Sequence, residues 1–506
     1  MVGVLQDNHR MFSTDHLNSG MKERAVRSTG VTLVAQGVKL LLQLGSIAVL
    51  SRMLQPSDFG LIAMVVVFTG LALQVMDGGL SMATIQREQI THAQVSNLFW
   101  VNCALGAGLC LIGVLISPML AFVYDEPRLV PVMAAMSLTF LIGGLSVQHD
   151  ALLRRQMRFK AIAVIDVVSM AIGIATGILV AVLGYGYWAL VATPVSTFAV
   201  ISVMRWVISR WVPSSVTRGS GVRAMLNFGV NLSGANFLGY FAKNITPFTI
   251  GYISGAQSLG LFNRANTLTS IPSSQMLPPV MNVLQPTLAR VASDPVRLRA
   301  TLTSVMGKLV LGTMFVTLIM AVLADWIVQL FLGSEWDGAV PIFQMLAVFS
   351  LVEPIAGFLA VSLVAIGNAK ALLRWKMITL AILVLSIGFG SIWGVMGVVA
   401  AYSISGVFIR LPGFLYYSSQ FLPVTFGEIV KALLPAGFCA LITIIVMYAL
   451  KQLIMIKSPI VGLLLFTSVG AATYLVLCLM VKSTRRELVE MLELLKLIIS
   501  RRRLSK

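Results

Sequence analysis

Six ionisable side chains stand inside stretches of sequence that are otherwise apolar: Lys39, Lys243, Arg264, Asp77, Asp166 and Glu353. A charge held at the middle of a hydrocarbon layer costs on the order of 3 kcal/mol on insertion scales. Six such charges cannot all face acyl chains. They must line a wet chamber or pair with one another. Lys39, Lys243 and Arg264 are read as chamber cations, suited to an anionic substrate such as a pyrophosphate-linked lipid. Asp166, Glu353 and Asp77 are read as charge-balancing or ion-coupling carboxylates, with Asp77 beside Gly78 and Gly79. The competing reading of all six is a set of structural ion pairs between helices. Gln36, Gln43, Asn231, Asn236 and Asn244 lie on the same stretches as the two lysines. Their amides could contact sugar hydroxyls, or equally hold helices together.

The elements that must position these groups follow from composition. The chain has 506 residues, 58% of them hydrophobic and only 11% charged. Its mean hydropathy is +0.91. A soluble domain carries about 25% charged residues, so the expected solvent is a bilayer. Fourteen apolar spans are expected, at roughly 30–52, 58–82, 94–117, 129–149, 162–183, 186–208, 225–251, 260–287, 301–323, 339–367, 371–390, 392–415, 428–450 and 459–481. The expected class is an all-α polytopic membrane protein with loops too short to hold an inserted soluble domain.

Net charge is +18. The basic residues fall in short loops, as in Arg154, Arg155, Arg158 and Lys160, and read as topology signals. With a cytoplasmic N-terminus, about 30 of the 37 Lys and Arg residues lie on the cytoplasmic side, which places both termini there. No interleaving of aromatic and basic residues supports nucleic-acid binding. Cys103, Cys110, Cys439 and Cys478 all fall in apolar spans and read as small core residues. The four histidines show no ligand spacing, so no metal site and no cofactor is expected. There is no G-x-x-x-x-G-K-[ST] loop, no G-x-S-x-G and no H-E-x-x-H. These absences argue against an enzyme.

A weak internal repeat organises the spans. DFGL at 58–61 matches SLGL at 258–261, GVTL at 30–33 matches GVNL at 229–232, and Val130-Pro131 matches Val340-Pro341. YGYWALV at 185–191 matches WGVMGVV at 393–399. The near-constant offset predicts two six-helix bundles related by a parallel pseudo-repeat, with Lys39 and Lys243 on equivalent spans. The segments are then 1–28, a cytoplasmic N-terminal segment; 29–224, the first bundle; 225–415, the second bundle; 416–482, two additional helices; and 483–506, a basic amphipathic tail. That tail opens on Thr484-Arg485-Arg486-Glu487, a capping-box pattern, and is expected to lie on the anionic inner leaflet. Met21, opening MKERAVRSTG, is an alternative start. Pro247, Pro272, Pro278 and Pro279 are expected to interrupt spans seven and eight. GIATG at 173–177 and GSIWG at 390–394 read as helix-packing faces.

SRMLQPSDFGLIAM (51–64), GAQSLGLFNRA (255–265) and GYGYWALV (184–191) together resemble the Wzx-type polysaccharide flippases of the multidrug/oligosaccharidyl-lipid/polysaccharide superfamily. Within it they are most similar to the colanic acid and succinoglycan exporter branch. The resemblance covers about residues 22–482. It implies a V-shaped pair of six-helix bundles working by alternating access. It implies an undecaprenyl-pyrophosphate-linked oligosaccharide as substrate, the bacterial inner membrane as location, and polymerase and chain-length proteins as partners. Lys39, Lys243 and Arg264 are the positions that fit the superfamily's use of cations for the pyrophosphate. The alternatives are a cation-coupled multidrug antiporter of the same superfamily, a membrane polymerase or ligase of the same pathway, and a non-transporting scaffold.

Overall fold

The computed structural model describes residues 12, 21–77, 80–87, 89–217, 222–454, 456, 458–491 and 493; within these it leaves out the side chains of 21–29, 77, 222–238, 275–280, 282 and 283. Every regular element among the described residues is helical. In chain order the first are α1 (Met21–Met53), α2 (Pro56–Asp77), α3 (Leu80–Gln86), α4 (His92–Tyr124) and α5 (Leu129–Gly144). They are followed by α6 (Val147–Arg155), α7 (Phe159–Val182), α8 (Trp188–Ser209) and α9 (Val222–Val291). The rest are α10 (Pro295–Val322), α11 (Ala324–Phe331), α12 (Ala339–Phe349), α13 (Val352–Ala365), α14 (Ala369–Gly390), α15 (Gly394–Ile404), α16 (Leu411–Ser419), α17 (Phe426–Leu453) and α18 (Pro459–Met480).

Local chemistry sets several of these starts. Thr91 and Gln94 form a reciprocal capping box at α4, and Thr425 with Glu428 does the same at α17. Asp294 accepts from the first free amides of α10, ahead of Pro295. The helices are apolar on all sides rather than on one face. Leu115, Phe122, Leu385 and Met480 remain openly exposed. No water-soluble protein carries such a surface, and acyl chains are the solvent it fits.

Ten helical stretches among the described residues are long and apolar enough to cross a membrane, and the bent pair α5–α6, broken by 42°, makes an eleventh. One of the ten is the run Ala369–Ser419, which holds two of the expected spans and turns at Gly394, φ 65°. Two more expected spans lie in α9. There the prolines do not interrupt the helix: helical backbone runs through Pro247, Pro272, Pro278 and Pro279. The break falls instead at Gly255, φ 74°, ψ −175°, a conformation that a side chain disfavours. GSIWG is likewise corrected. Gly390 packs against Gly397 rather than using Gly394, which makes the turn. In GIATG both glycines do face a neighbour, Gly173 meeting Thr197 and Gly177 meeting Thr193 across the α7–α8 crossing.

The chain divides into two compact units, Met1–Gly260 and Leu261–Lys506. In the first, α4 packs on α5, α5 on α8, α8 on α7, and α7 on α1. In the second, α10 packs on α12, α12 on α15, and α15 on α14, while α17 and α18 pair and α17 lies along α10. Spans 3, 4, 6 and 5 therefore neighbour one another in the same order as spans 9, 10, 12 and 11. This is the repeat that the short sequence matches indicate. A finer sign of it lies within the first unit. A Cβ on Gly60 would strike the carbonyl of Ala256, and one on Gly260 would strike the carbonyl of Pro56. Adding 200 to the first-repeat member of either pair gives the second-repeat member of the other. Such reciprocity marks a pseudo-two-fold crossing, and only glycine permits its closeness.

The C-terminal segment departs from expectation. Helix 482–491 begins before Thr484, whose hydroxyl donates to the carbonyls of Cys478 and Val481 instead of capping. Thr484 and Leu488 are buried, and Glu487 reaches α10. The described part of the tail is thus docked on the second unit. Residues 494–506 lie outside the described residues. Cys439 and Cys478 are buried, and Cys103 and Cys110 are half-buried, all as free thiols.

Candidate functional site

Position along a span decides how deep a charge sits, and the neighbouring helix decides what it meets. Lys39 lies midway along α1, on the face that meets α7. There its ammonium donates to Asp166 Oδ2 at 3.1 Å. The two side chains keep 37% and 34% of their surface open. The pair is therefore neither sealed nor free. The expectation of cationic chemistry and the competing reading of a helix–helix ion pair meet at this one contact.

Lys243 lies on α9 and is exposed, and it forms no ion pair or hydrogen bond among the described residues. One residue on, Asn244 donates through Nδ2 to the carbonyl of Tyr240 at 2.8 Å, a bond within its own helix. Tyr240 spends its hydroxyl on the carbonyls of Val66 and Val67, which ties α9 to α2 beside Gly70. Gln36 is exposed and Gln43 half-buried. The side chains of Asp77, Asn231 and Asn236 lie outside the described residues. In the second unit Arg264 is half-buried on α9, and Glu353 is exposed at the start of α13 without an ion pair among the described residues. The structure thus brings together one pair of the expected residues, Lys39 and Asp166, and leaves Lys243 and Glu353 open.

Several charged residues inside spans were not singled out from the sequence. Arg205, on α8, forms an ion pair with Asp150 Oδ1 at 3.0 Å and donates to Ser146 Oγ at 3.3 Å, while Arg154 donates to the other Asp150 oxygen at 2.7 Å. Arg410 sits in a π-helical turn, donates to the carbonyl of Tyr402 at 2.6 Å, and stacks on Phe349 and Tyr402. Lys308, midway along α10, meets both Glu487 and Glu490. The available signal was position: each stands within an apolar window, Lys308 deepest and Arg205 near an end. Arg155 had been read as a topology charge. It is 4% exposed and donates to the backbone carbonyls of Thr84, Ile85 and Arg87, at the end of α3, and of Phe12. Those carbonyls are the ones a helix C-terminus leaves without partners.

Outside the spans, Arg128 grips Glu126 with two nitrogens at 2.8 Å. This bidentate bond holds the Glu126 carboxyl below its ordinary range. Among the described residues no three His, Cys, Asp or Glu side chains converge as metal ligands.

Comparison with known proteins fits this architecture. A family model described as "Polysaccharide biosynthesis protein" matches residues 49–341. The chain is 22% identical over 437 residues to the lipopolysaccharide biosynthesis protein WzxC of Escherichia coli (strain K12), covering 85% of this chain and 88% of that one. It is 24% identical over 479 residues to the succinoglycan biosynthesis transport protein ExoT of Rhizobium meliloti (strain 1021), covering 92% and 95%. Among solved structures, the lipid II flippase MurJ in an inward closed conformation superposes with a TM-score of 0.74 at 14% identity, over 90% of this chain and 99% of that one. An inward-facing multidrug resistance MATE family transporter gives 0.60 at 15% identity, over 78% and 96%. At such identities these two likenesses speak to fold. The chain is a multi-pass membrane protein of the polysaccharide biosynthesis protein family.

Proposed function

We propose that this protein carries undecaprenyl-pyrophosphate-linked oligosaccharide repeat units across the bacterial inner membrane, for exopolysaccharide, capsule or lipopolysaccharide synthesis, by alternating access. The observation that carries this reading is the half-open Lys39–Asp166 pair at membrane depth. It supports an exchange in which the pyrophosphate displaces Asp166 from Lys39, so that substrate charge is neutralised as it enters a medium of low dielectric. Lys243 and Arg264 are further cations for the same group. Asp166, Glu353 and Asp77 balance charge or couple an ion, and Gln36, Gln43, Asn231, Asn236 and Asn244 offer amides to sugar hydroxyls. The names of relatives, a lipopolysaccharide biosynthesis protein and a succinoglycan transport protein, support the cargo class. The Lys and Arg bias supports cytoplasmic termini. A polymerase and chain-length proteins are the expected partners, receiving the repeat units on the far side. The protein's role is transport, not catalysis of a covalent step.

The test is a liposome assay. Purified protein is reconstituted with a fluorescent pyrophosphate-linked oligosaccharide lipid, and the fraction reaching the outer leaflet is read by quencher accessibility. Wild type is expected to move the lipid, and the K39A/K243A variant to be slower by tenfold or more. Equal rates for protein and empty liposomes would refute the transport reading; equal rates for variant and wild type would refute the role of the two lysines.

A further inference from the structure

Within the second unit, α9, α10 and α13 leave a cavity of about 410 Å³ between them. That volume falls in the range of small-molecule sites, roughly 300–1000 Å³. Its walls are mostly aliphatic, with Pro272 and Leu284 from α9, Leu309 and Val316 from α10, and Met491 from the C-terminal helix. Among the described lining residues one is charged. Lys308 donates to Ser304 Oγ at 2.6 Å, Glu487 Oε2 at 3.0 Å and Glu490 Oε2 at 2.8 Å. All three hydrogens of the ammonium are therefore engaged, two of them by carboxylates carried on the C-terminal helix. Glu490 also meets Arg486 at 3.1 Å, so the cluster holds two cations and two anions. The same helix that supplies the carboxylates supplies Met491 to the cavity wall.

This arrangement has the form of a plugged site. If helix 482–491 lifts, Arg486, Glu487 and Glu490 leave together. An apolar chamber then remains with a single ammonium at one end, a charge that cannot stay bare at membrane depth. The group that replaces two convergent carboxylates must offer at least two anionic oxygens on one centre, and it must be attached to an apolar chain that fills the chamber. A phosphate monoester on a lipid meets both requirements. We propose that this cavity is a binding site for a lipid phosphate, with its chain among Pro272, Leu309 and Val316 and its phosphate on Lys308, and that Glu487 and Glu490 are the built-in competitor that keeps it closed. The site goes beyond the transport reading and stands whether or not the cargo is as proposed above. Two sources supply such a phosphate, an acyl lipid and an isoprenoid, and two probes separate them.

The experiment uses the full chain in phosphatidylcholine nanodiscs, with binding of dioleoyl phosphatidic acid and of undecaprenyl phosphate followed by native mass spectrometry. At least one probe is expected to bind wild type, and to bind the E487Q/E490Q variant about tenfold more tightly. Lys308→Gln should weaken binding by tenfold or more. Because that variant strands two carboxylates and can unfold, a second one tests the chamber itself. A Cβ at Gly312 meets nothing within 4 Å, so Gly312→Leu fills the cavity without a backbone clash. It should weaken the same probe by tenfold or more at an unchanged elution profile. Wild-type affinity in Gly312→Leu, no gain in E487Q/E490Q, or equal competition by millimolar inorganic phosphate would each overturn the proposal.

Discussion

Arg155 and Lys39 are both basic residues of the first unit, yet they do opposite things. Arg155 is sealed and donates to backbone carbonyls, from the end of α3 and from Phe12. Lys39 stays about one-third open and meets one carboxylate across the α1–α7 seam. A guanidinium shared among several carbonyls cannot be exchanged, because no incoming group could satisfy all of those acceptors at once. An ammonium facing a single carboxylate can trade it for another anion. Burial alone does not separate a structural cation from a functional one in a membrane protein; the identity and number of its acceptors do. Lys308 stands between the two, with two carboxylates that belong to a separate helix.

This contrast can be broken by substitution. The largest effect is expected at the clamp. Arg155→Ala strands several carbonyls and should destabilise the protein by about 3 kcal/mol. Arg155→Lys should rescue little, since one point donor cannot span them. Thermal scanning by size-exclusion chromatography checks this, and a near-normal midpoint for either variant would dissolve the distinction. Next comes the pair. Lys39→Ala should lower transport tenfold or more at a stability cost of only about 1 kcal/mol. The K39A/D166A variant should regain the midpoint without regaining transport. Recovery of both would make the pair a helix clip and nothing more.

A smaller effect is expected at Lys243, which has no partner to strand among the described residues. Lys243→Gln should leave stability within about 0.5 kcal/mol of wild type and slow transport several-fold in the liposome assay. A collapse in expression would show that Lys243 is structural after all. The smallest effect concerns pH at the Glu126–Arg128 loop pair, outside the spans. The folded carboxyl titrates below its ordinary range, so its contribution is complete above that range and is lost as pH falls through the folded value. Its exposure limits that contribution to about 0.5 kcal/mol. Wild type and Glu126→Gln should therefore differ slightly in thermal midpoint at pH 7 and converge near pH 3, and a gap that widens on acidification would reverse the assignment.

The all-helical membrane class was legible because every turn of a span must be apolar to face lipid, and that requirement writes itself into long windows of sequence. The repeat was legible for a related reason. Two elements that share one packing role keep small residues at matching places, as Gly60 and Gly260 do in their mutual crossing. Charges at membrane depth were equally visible, since so few are tolerated there. What each charge meets could not be read, because Lys39 and Asp166 are 127 residues apart and only the packing of α7 on α1 joins them. Arg155 looked like a loop charge because its acceptors are carbonyls, which every residue possesses and no sequence displays. The tail's carboxylates looked like the polar face of a surface helix until tertiary structure set them on Lys308. Hydropathy is a property of one residue and its near neighbours, so the solvent and the helical class could be read from sequence alone. Pairing is a property of two distant residues, so only the folded chain decided which carboxylate or carbonyl each of these cations meets.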